Sequence, residues 1–264
     1  MSTYHIEVVT LLPTAFSSLD GLGVIGRALA SGIANISLYN PRDFTHDNYH
    51  KVDDEPYGGG AGMVLKPEPF FDAVNGIPPS SKRRVLMMTP QGKQLSQEDL
   101  WRWSQEYEQL VLLCGQYEGF DERIRTLADE EVSIGDFVLT GGEIAAMTII
   151  NGVIRLLPGT VGSSESLMEE SFSDLLLEHP QYTRPAKFHD LEVPEVLRNG
   201  NHGEILRWRQ EQREIRTKAR RPELYERWIQ KEFCSNSKMD LNSSTDLDFY
   251  MKKDFDPIED PWWD

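Results

Sequence analysis

The run Leu110-Val-Leu-Leu-Cys114 is apolar throughout and is followed at once by a glycine turn, Gly115-Gln-Tyr-Glu-Gly119. Similar apolar runs span His5 to Leu12, Ile36 to Tyr39 and Val85 to Met88, and each ends at a turn or a polar segment. Short apolar runs bounded in this way are typical of buried strands. Because helical stretches separate them, the pattern predicts an α/β domain with a mainly parallel sheet.

The stretches between these runs have helical patterns, at Val24 to Ser31, Pro67 to Asn75 and Ser96 to Tyr107. The last of them opens with Glu98 and Asp99, the acidic first turn expected at a helix start. A further stretch, Gly141 to Leu157, begins with two glycines and then runs apolar, which predicts a buried helix. Arg155 is the one charge on its apolar face.

Composition divides the rest of the chain. A Gly, Ser and Glu segment, within 161–175, predicts a flexible linker between a first domain at 1–160 and a second at 176–233. The second domain is predicted to be mostly helical and basic from Tyr182 to Lys231. Residues 234–264 are rich in Ser, Asn and Asp, and the tail is predicted to be acidic and disordered.

The net charge of −16 argues at first against a nucleic-acid partner, since Lys and Arg dominate phosphate binding. Between Arg198 and Arg221, however, eight basic residues face three acidic ones. This stretch is a candidate phosphate-binding surface, although a solvated helix face rich in arginine would have the same composition.

The beginning of the chain has neither the basic region nor the apolar stretch of a signal peptide, and no run of about eighteen apolar residues occurs. We therefore expect a cytoplasmic protein. The two cysteines, Cys114 and Cys234, have no metal-ligand spacing, so no metal site is predicted from them.

Three glycine-rich turns are the candidates for cofactor binding: Pro56 to Met63, Cys114 to Gly119 and Ser133 to Glu143. Glycine lets the backbone approach a ligand closely and adopt positive φ, which suits a nucleotide-like cofactor at the carboxyl ends of strands. None has the pattern of an NAD or ATP fingerprint, and each alone would also fit an ordinary tight connection.

In this order, the stretches resemble the bacterial tRNA (guanine-N1)-methyltransferase family, TrmD, of the SPOUT superfamily. The resemblance covers roughly Tyr4 to Trp228. It rests on Asn40-Pro-Arg-Asp-Phe-Thr45, Val52-Asp-Asp54, Pro56-Tyr-Gly-Gly-Gly60, Pro90-Gln-Gly92, Gly115, Tyr117-Glu-Gly119, Asp121-Glu-Arg123, Ser133-Ile-Gly-Asp136, Val138-Leu-Thr-Gly-Gly-Glu143, Tyr182-Thr-Arg-Pro185 and Arg220-Arg-Pro-Glu223.

The resemblance implies a parallel α/β sheet with a deep trefoil knot, a small helical C-terminal domain and an obligate homodimer whose active sites use both subunits. It implies S-adenosyl-L-methionine in the knot and carries over the family's requirement for Mg²⁺. The residues that would hold the methyl donor are Met88, Pro90, Gly115, Tyr117, Glu118, Ser133, Ile134, Gly135, Asp136, Phe137, Val138, Leu139, Gly141 and Gly142.

Methylation of guanine at N1 requires removal of the N1 proton while electron density builds on O6, so a carboxylate base and a cation at O6 would lower the barrier. Arg155 matches the family's arginine for the O6 role; alternatively, it pairs with a carboxylate to satisfy its burial. The family usually has aspartate before a Ser-Phe pair, whereas Glu170 precedes Ser171-Phe172 here. We take Glu170 as the base and Asp174 as its rival; the bland alternative is that Glu170 is a solvated linker charge.

The predicted reaction is methylation of guanosine 37 of tRNA, directly 3′ of the anticodon. The tRNA contacts suggested with it are Asp53, Arg184, His202, Arg207 and Arg209. Two alternatives stay open: a non-catalytic RNA-binding protein with the same fold, favoured by the substitution at Glu170, and an enzyme of the same superfamily that modifies another RNA base.

Overall fold

The structure is a computed structural model that describes residues 2–162 and 170–236. The chain divides into two compact units, Met1–Ser164 and Glu165–Asp264. In the part of the chain that is described, no helix combines the length and the apolarity needed to cross a lipid bilayer.

The first unit contains a five-stranded sheet in the order β2-β1-β6-β5-β7, and every neighbouring pair is parallel. Its strands, with a separate antiparallel pair formed by β3 and β4, are β1 (Tyr4–Val9), β2 (Ala34–Tyr39), β3 (Asp53–Asp54), β4 (Val64–Leu65), β5 (Arg83–Gln94), β6 (Gln109–Cys114) and β7 (Glu130–Ser133). The four apolar runs are β1, β2, β5 and β6, so the predicted α/β fold with a parallel sheet is confirmed. Sequence reasoning missed β7, a four-residue strand that begins with two glutamates.

Four helices belong to this unit: α1 (Gly23–Ala30), α2 (Pro67–Asn75), α3 (Gln97–Glu106) and α4 (Glu143–Leu156). All four were predicted within one or two residues. The start of α3 is fixed by a capping box, in which the Ser96 hydroxyl accepts from the Asp99 N–H at 3.3 Å and the Asp99 carboxylate accepts from the Ser96 N–H at 3.1 Å.

The strand β6 lies between β1 and β5 and is buried along its whole length. Its side chains alternate between the two faces of the sheet: Val111 and Leu113 pack in one core with Phe70 and Val74 of α2. Helix α4 contacts β6, α1 and α3. A parallel sheet covered in this way reads as continuous apolar runs, which is why periodicity of two was not visible in the sequence.

The second unit contains a short hairpin, β8 (Lys187–Phe188) with β9 (Leu191–Glu192), and two helices, α5 (His202–Arg220) and α6 (Pro222–Asn236). A small core joins Leu176 to Tyr225 and Ile229 of α6. In the segment 182–231, predicted to be mostly helical, α5 and α6 cover 202–220 and 222–231, whereas 182–201 forms the hairpin, turns and one short 3₁₀ helix. Proline at 185 and 194 and Gly200, at φ +74°, interrupt helical geometry there.

Residues 163–169 of the predicted linker and 237–264 of the predicted tail lie outside the described residues. Residues 170–175 of the predicted linker form turns within the second unit: the Phe172 N–H donates to the Leu176 carbonyl at 2.9 Å, and Asp174 forms an ion pair with Arg213. Helix α6 continues to Asn236, three residues beyond the predicted end of the helical domain at 233.

Candidate active site

A cavity of about 360 Å³ lies at the carboxyl ends of β6 and β7, beside the second half of β5. Three segments form most of its lining: Met88 to Gln91 within β5, Gly115 to Phe120 after β6, and residues from Val132, in β7, to Gly142. Ligands in parallel α/β sheets bind outside the carboxyl ends of strands, where consecutive turns converge. The fold therefore brings the second and third glycine turns of the sequence to one place.

The predicted cofactor residues line this cavity, with one exception. Asp136 is exposed and lies outside the lining. The first glycine turn, Pro56 to Met63, is also outside it. Ten further lining residues were not among the residues predicted to hold the methyl donor: Thr89, Gln91, Gln116, Gly119, Phe120, Glu122, Arg125, Val132, Thr140 and Ala145.

Close backbone packing closes the floor of the cavity. The Gly142 N–H donates to the Gly115 carbonyl at 2.9 Å. A Cβ atom at Gly142 would lie 2.9 Å from Cα of Cys114 and 3.0 Å from the Gly115 nitrogen, closer than real Cβ atoms approach backbone. Two turns from different strands can thus meet only because position 142 has no side chain.

A buried carboxylate ties these turns to the sheet. Glu143, only 6% exposed at the start of α4, accepts from the Thr10 hydroxyl at 2.7 Å and from Nε2 of Gln116 at 2.6 Å. Both carboxylate oxygens therefore have donors, as burial of a charge requires. Because Gln116 lines the cavity, this network fixes part of its wall. The sequence signal for this network was an acidic residue, Glu143, directly after two glycines in an apolar segment.

The thiol of Cys114 is inert. Burial, together with the nearby Glu143 carboxylate, raises the pKa of the Cys114 thiol well above its ordinary value. Cys114 is fully buried and stays a neutral, unreactive side chain at neutral pH.

The polar side chains of the cavity carry both signs of charge. Arg125 donates to the Gln91 side-chain oxygen at 2.7 Å and to Glu122 at 2.8 Å, and it forms an ion pair with Glu131. The Glu118 carboxylate lines the cavity as well. The site thus offers carboxylates to a cationic group and a guanidinium that its neighbours already hold in place.

An ion-pair network anchors β7, the strand that leads into the third turn. Glu130 accepts from Arg84 at 2.6 Å and from Arg102 of α3 at 2.6 Å, and Nε1 of Trp103 donates to it at 3.3 Å. Burial alone would raise the pKa of the Glu130 carboxyl, but these hydrogen bonds outweigh it and lower the pKa from 4.5 to about 2. The carboxylate is therefore charged throughout the neutral and mildly acidic range.

The chain is similar to known proteins over most of its length. The family model described as tRNA (Guanine-1)-methyltransferase TrmD matches residues 4–227. This chain belongs to the TrmD family. A tRNA (guanine-N(1)-)-methyltransferase of Synechococcus sp. (strain WH7803) is 69% identical over 231 residues, which cover 88% of this chain and 96% of the relative.

Enzymes with the same name from Crocosphaera subtropica and from Nostoc sp. are similar too. The first is 58% identical over 224 residues, with 85% of this chain and 93% of the relative covered. The second is 55% identical over 226 residues, with 86% and 90% covered. The family predicted from the sequence motifs is confirmed, and with it a methyltransferase that modifies tRNA.

The two catalytic candidates of this TrmD family member lie in different units. Arg155 is half-buried in the last turn of α4, next to the buried Ile154 and Leu156. Glu170 is half-buried near the beginning of the second unit, where its carbonyl accepts from the Ser173 N–H at 3.2 Å.

Asp174, the rival for the role of base, has structural contacts. Its carboxylate accepts from Nη1 of Arg213 at 2.9 Å and from the Leu176 N–H at 3.2 Å. These contacts fix the turn before Leu176 against α5, so Asp174 has a clear structural role.

The suggested tRNA contacts are dispersed over both units. Asp53 is half-buried in the short strand β3 of the first unit. In the second unit, His202 and Arg207 are exposed in the first turns of α5, whereas Arg184 and Arg209 line one cavity.

Proposed function

We propose that this enzyme transfers the methyl group of S-adenosyl-L-methionine to N1 of guanosine 37 in tRNA, producing 1-methylguanosine. The observation that carries the proposal is the cavity at the ends of β6 and β7, beside the second half of β5, which is lined by the segments that resemble the family's methyl-donor site. Membership of the TrmD family supplies the substrate class.

The lining fits S-adenosyl-L-methionine. A volume of about 360 Å³ lies within the usual range for small-ligand pockets. Apolar walls from Met88, Pro90 and Ile134 suit a flat base, and the backbone of the glycine turns offers hydrogen-bonding groups at close range. The Glu118 carboxylate suits a ligand with positive charges. When bound, S-adenosyl-L-methionine supplies an electrophilic methyl carbon on a sulfonium sulfur.

We also infer the knotted path that the family resemblance implies. Such paths are rare among folds, because the chain must be threaded through a loop. Two observations support it. Met88 and Lys93 both pair with Val132 of β7, so β5 passes that residue twice around an irregular segment. In addition, Gly92 packs so closely on β7 that a Cβ there would lie 2.4 Å from the Val132 nitrogen.

In the proposed reaction, Glu170 accepts the N1 proton of guanine and Arg155 donates hydrogen bonds to O6. Removing the proton leaves negative charge shared between N1 and O6, and a guanidinium at O6 stabilises that charge where it develops. The N1 electron pair, freed by Glu170, would then be ready to bond the methyl carbon that the donor supplies, and the electron pair of the carbon–sulfur bond would remain on sulfur. The longer stem of glutamate, relative to the family's aspartate, makes positioning of the carboxylate critical.

The role of Glu170 can be separated from that of Asp174 by single-turnover methyl transfer at saturating tRNA and methyl donor. We expect Glu170→Gln to slow the step by about a hundredfold or more, within the usual contribution of a general base. Asp174→Asn should lower the stability of the second unit, because it weakens the contact with Arg213, and should slow the step far less. A larger rate loss in Asp174→Asn than in Glu170→Gln would move the base to Asp174.

The resemblance extends to the assembly and location. We propose a cytoplasmic homodimer with each active site built from both subunits. Exposed apolar side chains beside the cavity support an interface there: Phe137, Val138 and Ile144 are 54%, 83% and 55% exposed. The described residues contain no group of three or more His, Cys, Asp or Glu side chains that could hold a metal ion, so we assign no step to Mg²⁺.

For tRNA binding, we propose that Arg184, Arg207 and Arg209 contact phosphates, with Asp53 and His202 near the anticodon loop. The abundance of arginine on α5 supports this assignment, because phosphate contacts are made chiefly by Arg and Lys. The competing explanation is that these arginines belong to a solvated helix face. Mutation of Arg207 separates phosphate binding from that explanation.

The function is tested by tritium transfer from labelled S-adenosyl-L-methionine to a tRNA transcript with guanosine at position 37. The matched control is the same transcript with adenosine there. We expect transfer to the guanosine transcript alone. Equal transfer to both transcripts would place the methylated base elsewhere, and transfer to neither, despite measured tRNA binding, would contradict the proposed reaction.

A further inference from the structure

The second unit contains a cavity of its own, of about 430 Å³. Residues on either side of the hairpin, from His179 to Ala186 and from Val193 to Arg198, form part of its wall, and the first turns of α5 form another part. Its lining residues are polar and apolar in about equal numbers, and the ones that matter below are Tyr182, Arg184, Leu197, Arg198, Ile205 and Arg209.

The charge of this lining is entirely positive. Arg184, Arg198 and Arg209 line the cavity, and among its described lining residues there is no aspartate or glutamate. The whole chain carries a net charge of −16, so three arginines together without an acid are unusual for it. Clusters of this kind recognise phosphate groups.

Among the described residues, these three arginines have no acidic partner of the kind that Arg213 has. Arg213, on the same helix as Arg209, forms an ion pair with Asp174. Within residues 170–236, neither Arg184, Arg198 nor Arg209 has an ion pair. Their charges are therefore available to a ligand.

The remaining lining suits a planar apolar group. Tyr182 is 48% exposed, and its ring centroid lies 6.4 Å from that of Trp208. Leu197 and Ile205 add aliphatic surface to the same cavity. Aromatic side chains beside arginines bind unpaired nucleotides, because the base stacks on the ring while the phosphate meets the guanidinium groups.

We propose that this cavity holds one unpaired nucleotide of the tRNA, with its phosphate on Arg184, Arg198 and Arg209 and its base against Tyr182. The proposal rests on the proposed function, since it takes tRNA as the substrate. It adds Arg198, which the sequence placed in the basic stretch but not among the suggested tRNA contacts, and it leaves His202 and Arg207 outside the site. A base-paired nucleotide does not fit this arrangement, because its base is stacked inside the duplex.

The first test compares tRNA dissociation constants of full-length Arg198→Ala and Arg227→Ala at fixed salt. Both arginines are exposed, and each variant loses one positive charge, but Arg227 lies on α6 and outside the cavity lining. We expect Arg198→Ala to weaken binding about tenfold and Arg227→Ala by less than threefold, with Arg198→Lys in between. Equal losses in Arg198→Ala and Arg227→Ala would overturn the proposal.

A second test locates the nucleotide by ethylation interference on the tRNA phosphates. We expect one phosphate in a single-stranded region at which ethylation weakens binding to the natural chain but not to Arg198→Ala. Tyr182→Leu should weaken binding several-fold, whereas Tyr182→Phe, which keeps the ring, should not. Interference only at consecutive paired phosphates would overturn the single-nucleotide site, and so would micromolar binding of free guanosine 5′-monophosphate without any effect of Arg198→Ala on tRNA affinity.

The two proposals can fail separately in these experiments. Tritium transfer by the natural chain reports on the reaction whatever happens at Arg198. If transfer to guanosine 37 occurs and Arg198→Ala binds tRNA like Arg227→Ala, the cavity proposal alone is overturned. If Arg198→Ala loses affinity but the natural chain transfers no methyl group, only the reaction is contradicted.

Discussion

The cavities of the two units are built in opposite ways. In the first unit, glycine backbones meet without room for a methyl group, and the buried Glu143 has a donor for each oxygen. In the second unit, arginines surround a cavity with no ion-pair partners among the described residues. The difference indicates recognition by shape in the first cavity and by charge in the second. The first should therefore respond to added volume and hardly to salt, and the second should do the reverse.

The largest effect should come from adding one methyl group to the floor of the first cavity. Gly142→Ala places a Cβ against the backbone of Cys114 and Gly115, which must shift. We expect the dissociation constant for S-adenosyl-L-methionine, measured by calorimetry, to rise at least tenfold, with about 1–3 kcal/mol lost from the unfolding free energy.

The matched control for this change is Gly21→Ala. A Cβ at Gly21 would meet nothing within 4 Å, and its backbone is not in the left-handed region. Its unfolding free energy should stay within about 0.5 kcal/mol of the natural chain, with unchanged affinity for the methyl donor. If the two alanine variants lost affinity equally, shape would not govern the first cavity.

The next effect tests the buried network. In Glu143→Gln, one of the two donors, Thr10 or Gln116, would face an NH₂ group in place of an oxygen. We expect a loss of about 1–3 kcal/mol of unfolding free energy, measured by denaturant titration, and weaker binding of the methyl donor. Glu106→Gln, at the exposed end of α3, is the control and should be nearly neutral. A neutral Glu143→Gln variant would show that the network does not stabilise the wall.

A smaller effect should appear as a pH dependence at the anchor of β7. The pKa of Glu130 is about 2 in the folded chain, below its ordinary 4.5, so its charged form stabilises the fold above pH 4.5. This contribution is lost as the pH falls through the interval from 4.5 to 2. We expect Glu130→Gln to lower the unfolding free energy by about 2 kcal/mol near neutrality. The difference from the natural chain should shrink on acidification.

The control for the anchor is Glu108→Gln, which breaks an exposed ion pair with Lys82 and should cost at most about 1 kcal/mol. Both variants can be compared by thermal or denaturant unfolding at several pH values. A difference between Glu130→Gln and the natural chain that stays constant down to pH 2 would contradict the role assigned to the ion pairs.

The smallest effect should be a change in salt dependence. Arg207 is exposed and lies outside both cavities, so Arg207→Ala should weaken tRNA binding only a few-fold. If it contacts a phosphate, the slope of log affinity against log salt should fall by about 0.7 to 0.9. An unchanged slope would show that Arg207 belongs to a solvated helix face. Binding of the methyl donor should depend little on salt in either chain.

Local patterns in the sequence predicted much of the first unit. The apolar runs became β1, β2, β5 and β6, because strands buried on both faces carry their signal in every residue. The acidic first turn predicted the start of α3, which the capping box at Ser96 confirms. The strand β7 was missed, because its two glutamates are stabilised in the sheet by hydrogen bonds from arginines and from a tryptophan indole elsewhere in the chain.

The resemblance predicted which residues line the first cavity. It did not predict why glycine is needed at these positions. Contacts such as Gly142 on Cys114, or Glu143 with Thr10, join residues that are distant in the chain. The second unit was harder, since the conformation of 182–201 depends on prolines and on packing. The arginine count of the basic stretch predicted a charged surface, but the cavity depends on which arginines have acidic partners.

The most direct measurement is the identity of the methylated nucleoside. A tRNA transcript with guanosine at position 37 would be treated with the enzyme and S-adenosyl-L-methionine, digested to nucleosides, and analysed by liquid chromatography and mass spectrometry beside standards. The proposed function predicts 1-methylguanosine, recovered from the anticodon-loop fragment and lost in Glu170→Gln. A product methylated on the ribose, at another atom of guanine or on another base would contradict it.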